Sequence, residues 1–172
     1  MNSKLKFATH NCQGFKKRMY NYVKQKFKKC DVLLLQETWL FNFQHKHFTK
    51  IIPNCQYHAV SAMDEAEDHR TGRPSGGCAV LWKKNLEAAV TPINTTSQRI
   101  CAIEMKSAKI KLLTMSVYMP NDDNSNESYE EYGEVLFEIA SILGKYDDYD
   151  IVIGSDLNVD FSRTNSRNLK SF

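Results

Sequence analysis

Acidic side chains are missing from the first thirty residues, which hold nine Lys or Arg, whereas residues 121–150 hold ten Asp or Glu against Lys145 alone. No window approaches the ~18 consecutive apolar residues of a membrane-crossing helix, which excludes such a helix. Seven Gly and four Pro in 172 residues are too few for a collagen-like or low-complexity segment. Lys4 and Lys6 are followed by no apolar stretch, so no secretory signal is visible and an intracellular chain is expected. The five cysteines, Cys12, Cys30, Cys55, Cys78 and Cys101, are odd in number and widely separated. That spacing excludes a zinc knuckle or a CxxC redox pair and predicts reduced, mostly buried thiols. With 42% apolar residues, 25% charged and a net charge of +3, the chain reads as one globular domain over residues 1–172.

The periodicities alternate between strand and helix. Leu5–Thr9 is a strand candidate. Phe15, Met19, Tyr22, Val23, Phe27 and Cys30 then recur at helical spacing among lysines, predicting an amphipathic basic helix. Val32–Leu35 is an unbroken apolar run, as in a strand buried on both faces. A short helix is expected near His47–Ile52, a strand near Gln56–Val60 and another at Cys78–Trp82. Residues 62–75 read as a polar loop. Leu86–Pro92, Arg99–Met105 and Lys109–Tyr118 are strand-like, with a hairpin at Lys106–Ala108, and consecutive strands without helices imply antiparallel pairing. Ser128 with Glu131 three positions later predicts a capping box. The helix that follows turns Tyr132, Val135, Leu136, Ile139 and Ile142 or Leu143 inward and stops at Gly144. Ile151–Ile153 is expected to be another buried strand.

Polar groups follow three of these apolar strands: Asn11, Glu37, and Asp156 with Asn158. Strand ends of layered α/β domains present side chains to clefts. Carboxylate and amide oxygens are ligands suited to Mg²⁺, which takes one or two carboxylates and completes its shell with water and phosphate. Each residue taken alone is also an ordinary strand-terminating turn residue, because Asp and Asn bond their own backbone there.

Four motifs occur together in order: Asn11 in His-Asn-Cys-Gln-Gly, Leu35-Gln36-Glu37-Thr38, Ser116-Val117-Tyr118-Met119-Pro120-Asn121, and Gly154-Ser155-Asp156-Leu157-Asn158. In this the chain resembles the endonuclease/exonuclease/phosphatase family. Gly72-Arg73-Pro74-Ser75-Gly76-Gly77 and the stretch Asp156–Phe161 look most like the apurinic/apyrimidinic-like endonuclease domains of non-LTR retrotransposons. The resemblance implies an α/β (α+β) fold of four layers, α/β/β/α, the deoxyribonuclease I-like sandwich, lacking its last strands. It implies Mg²⁺ (or Mn²⁺) as cofactor and DNA as partner, with nicking of phosphodiesters as the activity. A monomer, no membrane partner and a nuclear location inferred from work on DNA complete the expectation.

By that resemblance Glu37 is the metal-ligand glutamate and Asn11 the neighbouring asparagine that helps bind metal and phosphate. Asp156 orients or deprotonates the water, Asn158 positions the phosphate, and the Tyr118 hydroxyl faces it. Asn121 supports the loop at the substrate, and Arg73 is a candidate phosphate contact. The family pattern ends in a Ser-Asp-His strand that these residues do not contain. Asp68-His69, the one Asp-His dipeptide, lies in the wrong order to replace it. The expectation is therefore a domain incomplete at its C-terminus, with open sheet edges, an uncovered apolar face and weak or absent catalysis. The alternatives are another phosphoester substrate within the family, RNA or an inositol phosphate, and a non-catalytic remnant. The basic helix is expected as a solvated outer face, and the acidic helix Glu127–Glu138 as a second outer face far from substrate.

Overall fold

The structure is a computed structural model that describes residues 4–63, 75–86, 88–123 and 125–159. Its strands are β1 (Phe7–Asn11), β2 (Val32–Gln36), β3 (Cys55–Val60), β4 (Cys78–Lys83), β5 (Ala89–Ile93), β6 (Ile100–Lys106), β7 (Lys111–Tyr118) and β8 (Asp150–Asp156). The helices of more than one turn are α1 (Lys17–Lys29), α2 (His47–Ile51) and α3 (Asn126–Lys145). One sheet runs β1-β2-β4-β3 and the other β5-β6-β7-β8. Among the described residues no helix is long and apolar enough to cross a membrane.

Two β-α-β units set the frame. α1 returns the chain so that β2 lies parallel to β1, pairing Asn11 with Gln36. α3 does the same between β7 and β8, pairing Tyr118 with Asp156. The remaining pairs are antiparallel, so the consecutive strands β5 to β7 pair as expected. β4 and β5 fall in different sheets.

The apolar run of β2 is buried at every position because two layers cover it. Leu33 and Leu35 pack under Val23 and Phe27 of α1 and Phe48 of α2, while Val32 joins Val80, Cys101, Ile103 and Met105 between the sheets. Beyond the second sheet, Tyr132, Val135 and Ile142 of α3 lie on Ala102, Leu113, Met115 and Val117. The layering is thus α/β/β/α, as anticipated. All five cysteines are free and buried.

Several local expectations shift. β1 starts two residues late and ends at Asn11, because its parallel register with β2 runs to Gln36. Tyr22 does not turn inward and is 46% exposed. The β6–β7 hairpin is wider, with the Ser107 N–H donating to the Ile110 carbonyl. The cap of α3 is Ser125, whose hydroxyl accepts from the Ser128 N–H at 3.0 Å. That bond places Ser128 inside the first turn. Gly144 does not end the helix, which runs to Lys145. The largest correction is β8: Ile151 and Ile153 are 41% and 42% exposed. Among the described residues β8 is an edge strand whose outer face lies beside α3, and α3 covers mainly β6 and β7.

Candidate active site at the strand ends

The parallel registers bring the ends of β1, β2, β7 and β8 to one side of the sandwich. Asn11 is the last residue of β1 and Asp156 the last of β8, while Glu37 follows β2 directly. The Asn11 amide Nδ2 donates to Glu37 Oε1 at 2.7 Å and to Asp156 Oδ2 at 2.5 Å. One amide thus bridges carboxylates from the two sheets. Asn11 is fixed in turn, because its Oδ1 accepts from the Gln13 N–H at 2.9 Å. Glu37 Oε2 accepts from Trp39 Nε1 at 3.2 Å. Asp156 Oδ1 accepts from the Asn158 N–H, and the Asn158 side chain donates to the Met119 carbonyl at 2.6 Å.

Backbone strain concentrates here. Gln13, Glu37, Trp39 and Asn158 all have φ between 45° and 54°, the left-handed region that L-residues enter at a cost. The Thr38 and Trp39 N–H groups donate to Gly77 and Gly76. A Cβ at Gly77, where φ is +79°, would stand 2.8 Å from Thr38 Oγ1, so this turn requires glycine.

Beneath the carboxylates lies a buried polar tie. Gln36 Nε2 donates to Ser116 Oγ at 2.9 Å and to the Gly154 carbonyl at 3.0 Å, and its Oε1 accepts from Thr9 Oγ1 at 3.2 Å. Ser116 Oγ donates to the Leu35 carbonyl at 2.8 Å. These bonds lock β1 and β2 to β7 and β8 one residue below Glu37. Sequence reasoning gave Gln36 no role beyond its place in the Leu35-Gln36-Glu37-Thr38 motif. The signal was a buried-strand position carrying an amide, which demands partners.

Tyr118 is 7% exposed, with the Asn158 side chain near enough to its phenol to favour the ionised form. Burial, then the charges of Glu37 and Asp156, push the phenol above its ordinary value. It therefore stays a neutral donor at physiological pH. Burial, then Glu37, pushes the Cys12 thiol up to about 12, which makes it inert. Asn121 is exposed and lines, with Tyr118 and Arg99, a groove of about 980 Å³. A smaller recess of about 430 Å³ is lined by Asn11, Gln36, Asp156 and Leu157.

The expectation that the acidic helix lies far from this site is corrected. Only seven residues, 119–125, join β7 to α3, and Glu131, Glu134 and Glu138 of that helix line the same groove as Tyr118. Two of these carboxylates are engaged: Glu131 accepts from Arg99, and Glu138 accepts from the Thr96 and Ser97 N–H groups. Arg73, Asp68-His69 and the stretch from Asp160 onward lie outside the described residues.

The donor set fits a divalent cation of the Mg²⁺ type. Two carboxylates and an amide converge, and such an ion takes its remaining ligands from water and phosphate.

Solved structures share this architecture. The endonuclease domain of TRAS1, a telomere-specific non-LTR retrotransposon, aligns with a TM-score of 0.61 at 17% identity, over 92% of this chain and 61% of that one. The AP endonuclease LMAP from Leishmania major gives 0.69 at 14% identity, over 90% and 55%. A mannosyl-6-phosphatase from Bacteroides thetaiotaomicron gives 0.59 at 16%, over 98% and 70%. The chain thus spans about three fifths of the length of the TRAS1 domain. No curated protein matches it by sequence. The family model described as "Endonuclease/Exonuclease/phosphatase family" matches residues 8–172, and with the sandwich and its converging strand ends this shows that the chain belongs to the endonuclease/exonuclease/phosphatase family.

Proposed function

We propose that these residues form the metal-binding half of a DNA-nicking phosphodiesterase site of retroelement type. The observation that carries this reading is the Asn11 amide held between Glu37 and Asp156, which gathers two anionic side chains and one amide where a cation and a phosphate can meet. A divalent ion bound by Glu37 and Asn11 would supply charge stabilisation to a phosphoryl oxygen and its leaving alkoxide. Asp156, anchored by the Asn158 N–H, orients the attacking water and accepts its proton. The Tyr118 phenol and the Asn158 amide donate to the phosphate. Asn121 extends contact to the flanking backbone, and the cation of Arg73 is the candidate for phosphate affinity that reads no sequence. Work on chromosomal DNA would place the protein in the nucleus.

The family's Ser-Asp-His sequence does not occur among the 172 residues. One preorganised charge-stabilising group contributes about 10²- to 10³-fold in rate, so these residues alone should nick feebly or not at all. The test is Mg²⁺-dependent nicking of supercoiled plasmid by this chain, by Glu37→Ala, and by the chain extended through the reading frame that follows Phe172. Cleavage by the extended form, lost in Glu37→Ala, supports the reading. Robust Glu37-dependent nicking by the 172 residues overturns the expected weakness. Hydrolysis of an RNA or a phosphomonoester in place of DNA overturns the substrate.

A further inference from the structure

Arg99 stands at the junction of the groove and the strand ends. Its carbonyl accepts from the Tyr118 N–H at 3.0 Å and from Cys78 Sγ at 3.3 Å, so strands of both sheets pin its backbone. Its guanidinium carbon lies 5.3 Å from the centroid of the Tyr118 ring. Its Nε donates to Glu131 Oε1 at 2.6 Å, and the arginine side chain is 24% exposed. Glu131 thus reaches from α3 to Arg99, Arg99 covers Tyr118, and Tyr118 meets Asn158.

We propose that Arg99, tethered by Glu131, is a positioning residue for Tyr118: its guanidinium holds the phenol ring so that the hydroxyl stays aimed at Asn158 and the phosphate position. The inference rests on the reading of the strand ends as a phosphodiester site. Tyr118 emerges at the last position of β7, with its ring at the mouth of a groove. A ring so placed needs a partner on its open face to hold one tilt. A guanidinium suits that face through cation–π attraction and planar contact. Lysine offers a point charge without the plane. The Glu131 tether holds Arg99 against the ring at the wall of the groove, so that its guanidinium is engaged and not free to act as a phosphate ligand itself. That distinction separates positioning from direct substrate contact.

The experiment labels the chain with 3-fluorotyrosine and identifies the Tyr118 resonance by its loss in Tyr118→Phe. In Arg99→Met that resonance should move and its titration midpoint should rise, because a cation facing the ring is lost, while the resonance of core Tyr132 stays in place as proof of folding. Arg99→Lys should restore the midpoint in part and leave the shift displaced. In Glu131→Gln the Tyr118 resonance should broaden or move as the tether weakens. An unmoved Tyr118 resonance in Arg99→Met with Tyr132 unchanged overturns the proposal. In any form of the protein that shows Glu37-dependent hydrolysis, Arg99→Met and Tyr118→Phe should each lower kcat by about tenfold to a hundredfold. The double variant should fall no further, since the two act as a unit. Additive losses would mean that Arg99 contacts substrate, and would overturn positioning. Absence of hydrolysis in every form counts against the site reading, while the fluorine spectra still decide the role of Arg99.

Discussion

Replacing Gln36 by leucine isolates the tie that holds the two carboxylates together. The side chain is 1% exposed and similar in size to leucine, so the substitution removes polar contacts with little change of volume. Three hydrogen bonds disappear, to Ser116, Gly154 and Thr9. Thr9 is exposed and regains water. The Ser116 hydroxyl still donates to Leu35, but it and the Gly154 carbonyl each lose a buried donor. An orphaned buried group costs about 1–3 kcal/mol, and the more apolar leucine recovers about 1 kcal/mol. The net loss is therefore about 3 kcal/mol, or about 6–12 °C in Tm for a chain of this size. Urea unfolding should show a lower midpoint at unchanged slope. Mn²⁺ binding, read by its electron paramagnetic signal, should weaken although no ligand has been touched, because Glu37 directly follows Gln36 and Asp156 lies just beyond Gly154 on the same strand. A destabilisation below about 1 kcal/mol would refute the claim that these bonds lock the sheets.

Gly154→Ala would put a Cβ 2.8 Å from Thr9 Oγ1 and 3.2 Å from Leu34 Cβ; it should cost about 1–3 kcal/mol by overpacking, and thermal melts should show recovery in the double variant with Thr9→Ala. His10 and His58 both have imidazole pKa values lowered from the ordinary 6.5, in each case mainly by burial, with Lys26 adding to the effect at His10. A depressed folded-state value gives stability that is complete above 6.5 and lost as the pH falls through the folded-state pKa. The urea midpoint should therefore drop on acidification below pH 6.5, and the drop should be shallower in His58→Gln.

The element order was largely legible because each signal was local. The apolar run Val32–Leu35 had to be buried on both faces, and the basic stripe of α1 had to face solvent once Val23 and Phe27 turned inward. Four short motifs were enough to name the family, since each is a fixed string of residues at a strand end. Boundaries that depend on pairing were not legible: β1 ends at Asn11 because Gln36 stands opposite it. The cap of α3 was misplaced because Ser125 and Ser128 offer equal hydroxyls in sequence, and the helix start decides which one accepts.

The sequence by itself determined which side chains could bear the chemistry. Glu37, Asp156, Asn11, Asn158 and Tyr118 are oxygen and amide groups at the ends of apolar runs, which made them candidates before any contact was known. Only the tertiary structure decided their company. Asn11 and Asp156 are 145 positions apart in the chain, and two parallel crossovers are needed to bring them together. Gln36, Arg99 and Glu131 gain meaning only through that closure. The exposure of Ile151 and Ile153 was likewise settled by place in a sheet, since an edge strand beside a helix buries only one of its faces, a fact that no local pattern of apolar residues encodes.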